Sequence, residues 1–318
     1  MNILITGGAG FIGSNFCHYY YNESDRFVVL DALTYAGDLE FIKDLIDKPN
    51  FRFVHGNITD TVLVNKLFAE EKFDVVINFA AETNVDTSVN KPQIFIDTNI
   101  TGVRVLLDAC RDYAVSKYHQ VSTDEVYGEL LDKNGQFFED SPLNPTNPYS
   151  VTKAAADLLV LSYYRIFGLH TTISRCSNNY GIYQHHEKFI PKSIRHVINN
   201  ENIPVHGDGQ NVRDWICVMD HCQGISKIIK QGRAGEVYNI GSNNERTNLD
   251  IANLILKTMN SGVSKAEFVK DRPTNDKRYS INYDKISREL GYQPIYNFEN
   301  YFAYMTEWYK INNQKKKN

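Results

Sequence analysis

The opening residues constrain this chain more than any other stretch. An apolar run, Asn2–Thr6, reads as a strand and runs straight into Gly7-Gly8-Ala9-Gly10-Phe11-Ile12-Gly13, after which the spacing turns helical. Glycines at this junction permit a tight turn and let backbone N–H groups approach a pyrophosphate at the helix N-terminus. A bare glycine pattern is weak, and a tight turn without a ligand is its bland alternative. The strand before it and the helix after it make the dinucleotide reading specific. Gly7, Gly10, Phe11, Ile12 and Gly13 are therefore candidate cofactor contacts. Asp31 closes the second strand-like run. A carboxylate there accepts hydrogen bonds from both adenosine ribose hydroxyls and repels a 2′-phosphate, which points to NAD and not NADP.

Further strand-like runs follow at Phe27–Asp31, Phe51–His55, Val75–Phe79, Tyr118–Ser122 and, after a longer gap, Thr171–Arg175. Stretches of helical spacing such as Asp60–Glu71, Asn99–Tyr113 and Tyr149–Phe167 lie between them. Alternation of this kind builds βαβ units, so the expected fold is α/β, a Rossmann-type doubly wound parallel sheet. After Gly181 the pattern becomes irregular. Residues 1–180 are expected to form the NAD-binding domain and 181–318 mainly a smaller substrate-binding domain. Strands near 211–240 (Trp215–Val218 and Val237–Ile240) are expected to return to the main sheet.

At 318 residues the chain is large for a single core. A net charge of -4 gives no basic surface for nucleic acid. Its five cysteines are odd in number and form no CxxC pair, which suggests reduced thiols in the cytoplasm and no metal site. The early start of the first strand leaves no room for a signal peptide. No apolar run approaches the roughly 20 residues that span a bilayer, so no membrane partner is expected.

Two constellations carry chemistry. Tyr149 and Lys153 are four residues apart near the start of a helix and share one of its faces. A lysine cation beside a phenol favours the phenolate and brings it towards use as a base. Alone, this spacing occurs often by chance. The second is Ser122-Thr123-Asp124-Glu125-Val126-Tyr127-Gly128, at the end of a central strand, where ligand sites of open α/β sheets lie. Adjacent acids on a regular strand face opposite ways, so the chain must turn there to present both. The bland reading is a pair of solvated loop carboxylates.

The segments TGGAGFIGS, STDEVYGE, NPYSVTKAAAD and RCSNNYG resemble the extended short-chain dehydrogenase/reductase family, and the acid pair after Thr123 is similar to its nucleotide-sugar 4,6-dehydratases. The resemblance runs from Asn2 to about Tyr309. It implies conversion of an NDP-glucose to the NDP-4-keto-6-deoxy sugar, an early step towards deoxysugars such as rhamnose. Tyr149 would deprotonate O4 while NAD takes the C4 hydride, and Lys153 would assist. Glu125 would remove the C5 proton, Asp124 would protonate the departing C6 hydroxyl, and Thr123 would hydrogen-bond O4. Asp124 must then hold its proton better than Glu125 does.

The same resemblance places Asn57, Ile58, Ala80 and Thr98 at the cofactor. Glu82, Asn178, Asn179, Lys188, His206, Arg213, Asn248, Arg272 and Asn275 fall at the substrate. Several positions depart from bacterial dTDP-glucose enzymes. Asn57 stands for an Asp, Asn84 and Thr87 for a His and an Arg, His206 for a Tyr and Asn275 for a His. The His206 and Asn275 choices are more similar to the dehydratase part of plant-type UDP-rhamnose synthases and favour UDP-glucose over dTDP-glucose. A thymine methyl contributes only ~1–3 kcal/mol, so both nucleotides can turn over. The alternatives are a 4-epimerase, which needs no acid pair, a UDP-uronic acid decarboxylase, and a non-catalytic NAD-binding scaffold. Family members pair the helices near Gln93–Tyr113 and Tyr149–Phe167 into a two-fold four-helix bundle. A homodimer is expected through surplus apolar residues there, Val103, Leu106, Val160 and Leu161 among them.

Overall fold

A computed structural model of the protein describes residues 1–271 and 275–315. In chain order its strands are β1 (Asn2–Thr6), β2 (Arg26–Asp31), β3 (Phe51–His55), β4 (Val75–Asn78), β5 (Lys117–Thr123), β6 (Thr171–Cys176), β7 (Asn178–Tyr180), β8 (Ile203–His206), β9 (Val212–Cys217), β10 (Glu236–Ile240), β11 (Glu245–Thr247) and β12 (Ala266–Val269). Seven form one sheet in the order β10-β6-β5-β4-β1-β2-β3, every pair of them parallel. Successive strands move outward from β1 in one direction and from β4 in the other. The crevice beyond the carboxyl ends of β1 and β4 is thus the switch point where such sheets bind ligands.

Both faces of the sheet are covered, which is why its strands are continuously apolar. Ile3 and Ile5 of β1 join one core with Phe16, Val29 and Ile225, while Leu4 joins the opposite core with Val28, Val76 and Leu106. A third core, around Tyr180, Ile194, Val205, Ile251 and Phe302, supports the segments after Gly181. Local signals set the helix ends. Asp60 caps helix Thr61–Glu71 by accepting from Val62 and Leu63 N–H. Helix Pro148–Phe167 starts at a capping box between Asn147 and Ser150 and stops at Gly168, whose φ of 69° suits a residue without a Cβ.

Three expectations need correction. β10 does rejoin the main sheet beyond β6, but β9 pairs with β7 and β11 in a separate small sheet. Its side chains explain this: Trp215 and Cys217 pack into the third core while Ile216 packs into the first, so β9 bridges two cores instead of extending one. The helix expected from Asn99 is α-helical only over Val103–Asp112 and is preceded by a π-helical stretch, Ile96–Gly102. Finally, Val103, Leu106 and Val160 are fully buried within the subunit, and Leu161 packs against the same core. They are core residues. The apolar side chains these helices leave exposed are Ile94, Ile96, Val151, Leu158, Ile166 and Phe167.

Candidate active site

Two cavities meet at the carboxyl ends of the strands. One of about 380 Å³ runs from the glycine loop past Thr123, Asp124 and Glu125 to Lys188. The other, about 200 Å³, is lined by His206, Arg213, Asn248 and Asn275. Every sequence-predicted site residue within the described residues lines one or both. Arg272 lies outside the described residues.

At the cofactor end the glycines are required by space. Gly7 has φ 69°, and a Cβ on it would stand 2.6 Å from the Ala80 nitrogen. A Cβ on Gly13 would strike the Gly7 carbonyl. Gly10 is the N-cap of helix Phe11–Tyr20, and no side chain caps its first-turn N–H groups. The Asp31 carboxylate is buried and aimed by two backbone donors, Ala9 N–H at 2.9 Å and Leu33 N–H at 2.8 Å. Each of its oxygens keeps a lone pair for a further donor. An uncapped helix end, a cradle without side chains and an aimed carboxylate fit a dinucleotide with a free 2′-hydroxyl. Asn57 and Ile58 line this end, with Asn57 Oδ1 held by Thr59.

At the catalytic end β5 stops at Thr123, and Asp124–Tyr127 form one turn of 3₁₀ helix. The Thr123 hydroxyl caps that turn by accepting from Glu125 N–H at 3.2 Å. This turn lets adjacent acids both reach the cavity. Asp124 is 2 % exposed, and its Oδ2 has no hydrogen-bond partner. Burial first, then the negative charges of Glu125 and Asp214, push its carboxyl well up. Burial also raises Glu125, but Lys188 and Arg213 oppose the shift. The two acids are therefore biased apart in the direction a proton donor and a proton acceptor need.

Tyr149 and Lys153 both line the cavity. Lys153 Nζ donates to the Val121 carbonyl at 2.6 Å, and burial lowers its pKa. Tyr149 is pushed well up, first by burial and then by the charge of Glu125, with the Thr123 hydroxyl opposing.

Sequence reasoning missed the clamp that sets this wall. Asn99, buried in the π-helical stretch, accepts from Glu82 N–H and donates to Glu82 O and to the Thr152 hydroxyl, all at 2.9–3.0 Å. It ties the loop after β4 to the Tyr149 helix, and Thr98 beside it lines the cavity. Asp214 was missed too. It is buried on β9 and held by Ser242 and Asn244. No local pattern marks either residue, although "Arg-Asp-Trp" beside Arg213 offered a place to look. At the substrate end Asn179 is engaged with His221 and Ser177 O, whereas Asn178 Oδ1 is buried without a partner. Lys188 donates to Thr83 O at 3.0 Å, and Arg213 stacks on Tyr279 and donates to Asp276 O. His206 faces Lys270 O, and Asn275 donates to Asp271. No group of residues suited to hold a metal ion occurs among the described residues, nor does any helix long and apolar enough to cross a membrane.

A parallel sheet with this crevice, a glycine cradle, and a Tyr–Lys helix facing the end of β5 define a Rossmann-type protein of the extended short-chain dehydrogenase/reductase class. Within it, the chain belongs to the GDP-mannose 4,6 dehydratase family, whose model matches residues 4–305. It is 48% identical over 310 residues to the low-salt glycan biosynthesis protein Agl12 of Haloferax volcanii, covering 97% of this chain and 98% of that one. It is 46% identical over 316 residues to the dTDP-glucose 4,6-dehydratase of Mycolicibacterium smegmatis, covering 98% and 94%. The crystal structure of DesIV, a dTDP-glucose 4,6-dehydratase from Streptomyces venezuelae solved with NAD bound, superposes with a TM-score of 0.94 at 40% identity, covering 99% and 98%.

Proposed function

We propose that this protein is an NAD-dependent nucleotide-sugar 4,6-dehydratase, a hydro-lyase that acts on an NDP-glucose. The observation that carries this reading is the Thr123-Asp124-Glu125 turn, with Thr123 and Asp124 buried and Glu125 partly so, facing Tyr149 in one cavity. An epimerase working at C4 has no use for that acid pair. NAD, when bound, accepts hydride from C4 and returns it at C6, so it is unchanged overall. Tyr149 takes the proton from O4, and the Thr123 hydroxyl steadies O4. The resulting ketone acidifies the C5 proton, which Glu125 removes. Asp124 delivers its proton to the departing C6 hydroxyl, which leaves as water. Glu125 then returns its proton to C5 as C6 is reduced. Glu82, Asn178 and Asn179 line the sugar side, and Lys188, Arg213, Asn248, His206 and Asn275 line the nucleotide side. Arginine and lysine there suit a diphosphate.

The names of the dehydratase relatives favour dTDP-glucose as the substrate. His206 and Asn275 remain the argument for UDP-glucose. The product suits later reduction of a 4-keto sugar, as on routes to rhamnose. Five buried free cysteines fit a reducing cytoplasm. Exposed Ile96, Val151 and Leu158 support a homodimer in which these helices form a four-helix bundle. The test is incubation with dTDP-glucose and UDP-glucose separately, followed by mass spectrometry. Loss of one water from either supports the reading. A product of unchanged mass, epimeric at C4, replaces it with the epimerase.

A further inference from the structure

The two cavities share six lining residues, Val85, Asn178, Glu187, Lys188, Phe189 and Trp215, which form a waist between them. Three of these residues carry a buried polar atom without a hydrogen-bond partner: Asn178 Oδ1, Glu187 Oε1 and the Trp215 indole nitrogen. Glu187 is fixed through one oxygen, Oε2, which accepts from Asn84 Nδ2 at 2.6 Å. Its other oxygen, Oε1, is buried and makes no hydrogen bond. Its nearest charge is Lys188 Nζ, 3.6 Å away. Tyr35, Glu82 and His185 also face this carboxylate. Independently, Trp215 is 5 % exposed, and its indole N–H is buried without an acceptor. A buried donor and a buried acceptor left open at one place are expensive unless a ligand completes them.

The proposed reading of the site says what passes through this waist. The hexose occupies the catalytic cavity and the nucleotide the other, so the sugar carbon at the waist is C1, and the hydroxyl beside it is that on C2. Reacting atoms C4, C5 and C6 point the other way, towards Asp124 and Glu125. We propose that Glu187 and Trp215 form a hexose-recognition subsite, in which Glu187 Oε1 accepts a hydrogen bond from the C2 hydroxyl and the Trp215 N–H donates to the oxygens beside it. Asn84 is a positioning residue that leaves Oε1 free by occupying Oε2. The subsite selects sugars with a hydroxyl at C2 and takes no part in the proton transfers.

Titration calorimetry on the full-length protein tests this, with NDP-glucose, NDP-2-deoxyglucose and the bare nucleoside diphosphate as probes, in both the dTDP and UDP series. A hydrogen bond to a charged acceptor gives the wild type a preference for the 2-hydroxyl sugar of about ten- to hundredfold. Glu187→Ala brings that ratio close to one while binding of the bare diphosphate does not weaken. Glu187→Gln, which keeps the shape and an acceptor, and Asn84→Ala give intermediate ratios, and they carry the test if the alanine variant fails to fold. A wild-type ratio near one overturns the proposal. So does a Glu187→Ala protein that keeps the wild-type ratio or that loses bare diphosphate and sugar nucleotide equally. A wild type that discriminates at C2 yet eliminates no water would sink the dehydratase reading and leave the subsite standing.

Discussion

Asp124→Asn should cost activity and change the pH dependence of stability at the same time, because burial and the neighbouring negative charges push the wild-type carboxyl well up. The residue is 2 % exposed, Oδ2 has no partner, and its shift is caused by burial and then by Glu125 and Asp214. A group whose folded pKa is raised contributes its full stability below the unfolded pKa and loses it as pH rises towards the folded pKa. In the unfolded chain this carboxyl titrates near 4. From there upward the wild type loses about 1.4 kcal/mol per pH unit through this one proton, until the folded pKa is reached. The asparagine variant carries no such proton and escapes that loss. At low pH the variant is the weaker protein, since a buried amide adds N–H groups without partners at a cost of about 1–3 kcal/mol. The stability difference should therefore swing in favour of the variant as pH rises. Denaturant unfolding of both proteins between acid and neutral pH measures this. Dehydration of the same variant should fall by a factor on the order of 10²–10⁴, the range for general acid–base groups. A difference in stability that stays flat with pH would show that Asp124 is ionised at neutral pH and cannot be the acid.

Glu125→Gln should retain oxidation at C4, seen as near-ultraviolet absorbance of reduced nicotinamide, while product formation falls on the order of 10²–10⁴; near wild-type dehydration would refute the base assigned here. Tyr149→Phe should show neither the absorbance nor the product. Asp31→Ala removes a carboxylate held by two backbone donors, so NAD should bind on the order of tenfold or more weaker and the melting temperature should drop, and a wild type that prefers NADP would contradict the argument. Leu158→Glu places a charge on an exposed apolar side chain and should give a monomer by light scattering at concentrations where the wild type is a dimer; a monomeric wild type removes the assembly proposal.

Much of this is legible in the sequence, and for a local reason. The glycine loop, the cap at Asp60, the box at Asn147 and Ser150, and the period-2 and period-3.6 runs all express backbone geometry over a few residues. Short-range pattern therefore sufficed to place β1 to β6, the helix that carries Tyr149 and Lys153, and the acid pair at the end of β5. What it could not decide depends on through-space distance. Whether Asp124 or Glu125 keeps its proton rests on burial and on Asp214, which arrives from β9. That Lys153 reaches the Val121 carbonyl rests on how its helix packs against β5. An apolar stripe shows that a face is buried without saying by what, which is why Val103 and Val160 lie in the core and Val151 and Leu158 face outward. The waist at Glu187 and Trp215 is likewise a property of two cavities that only the folded chain brings together.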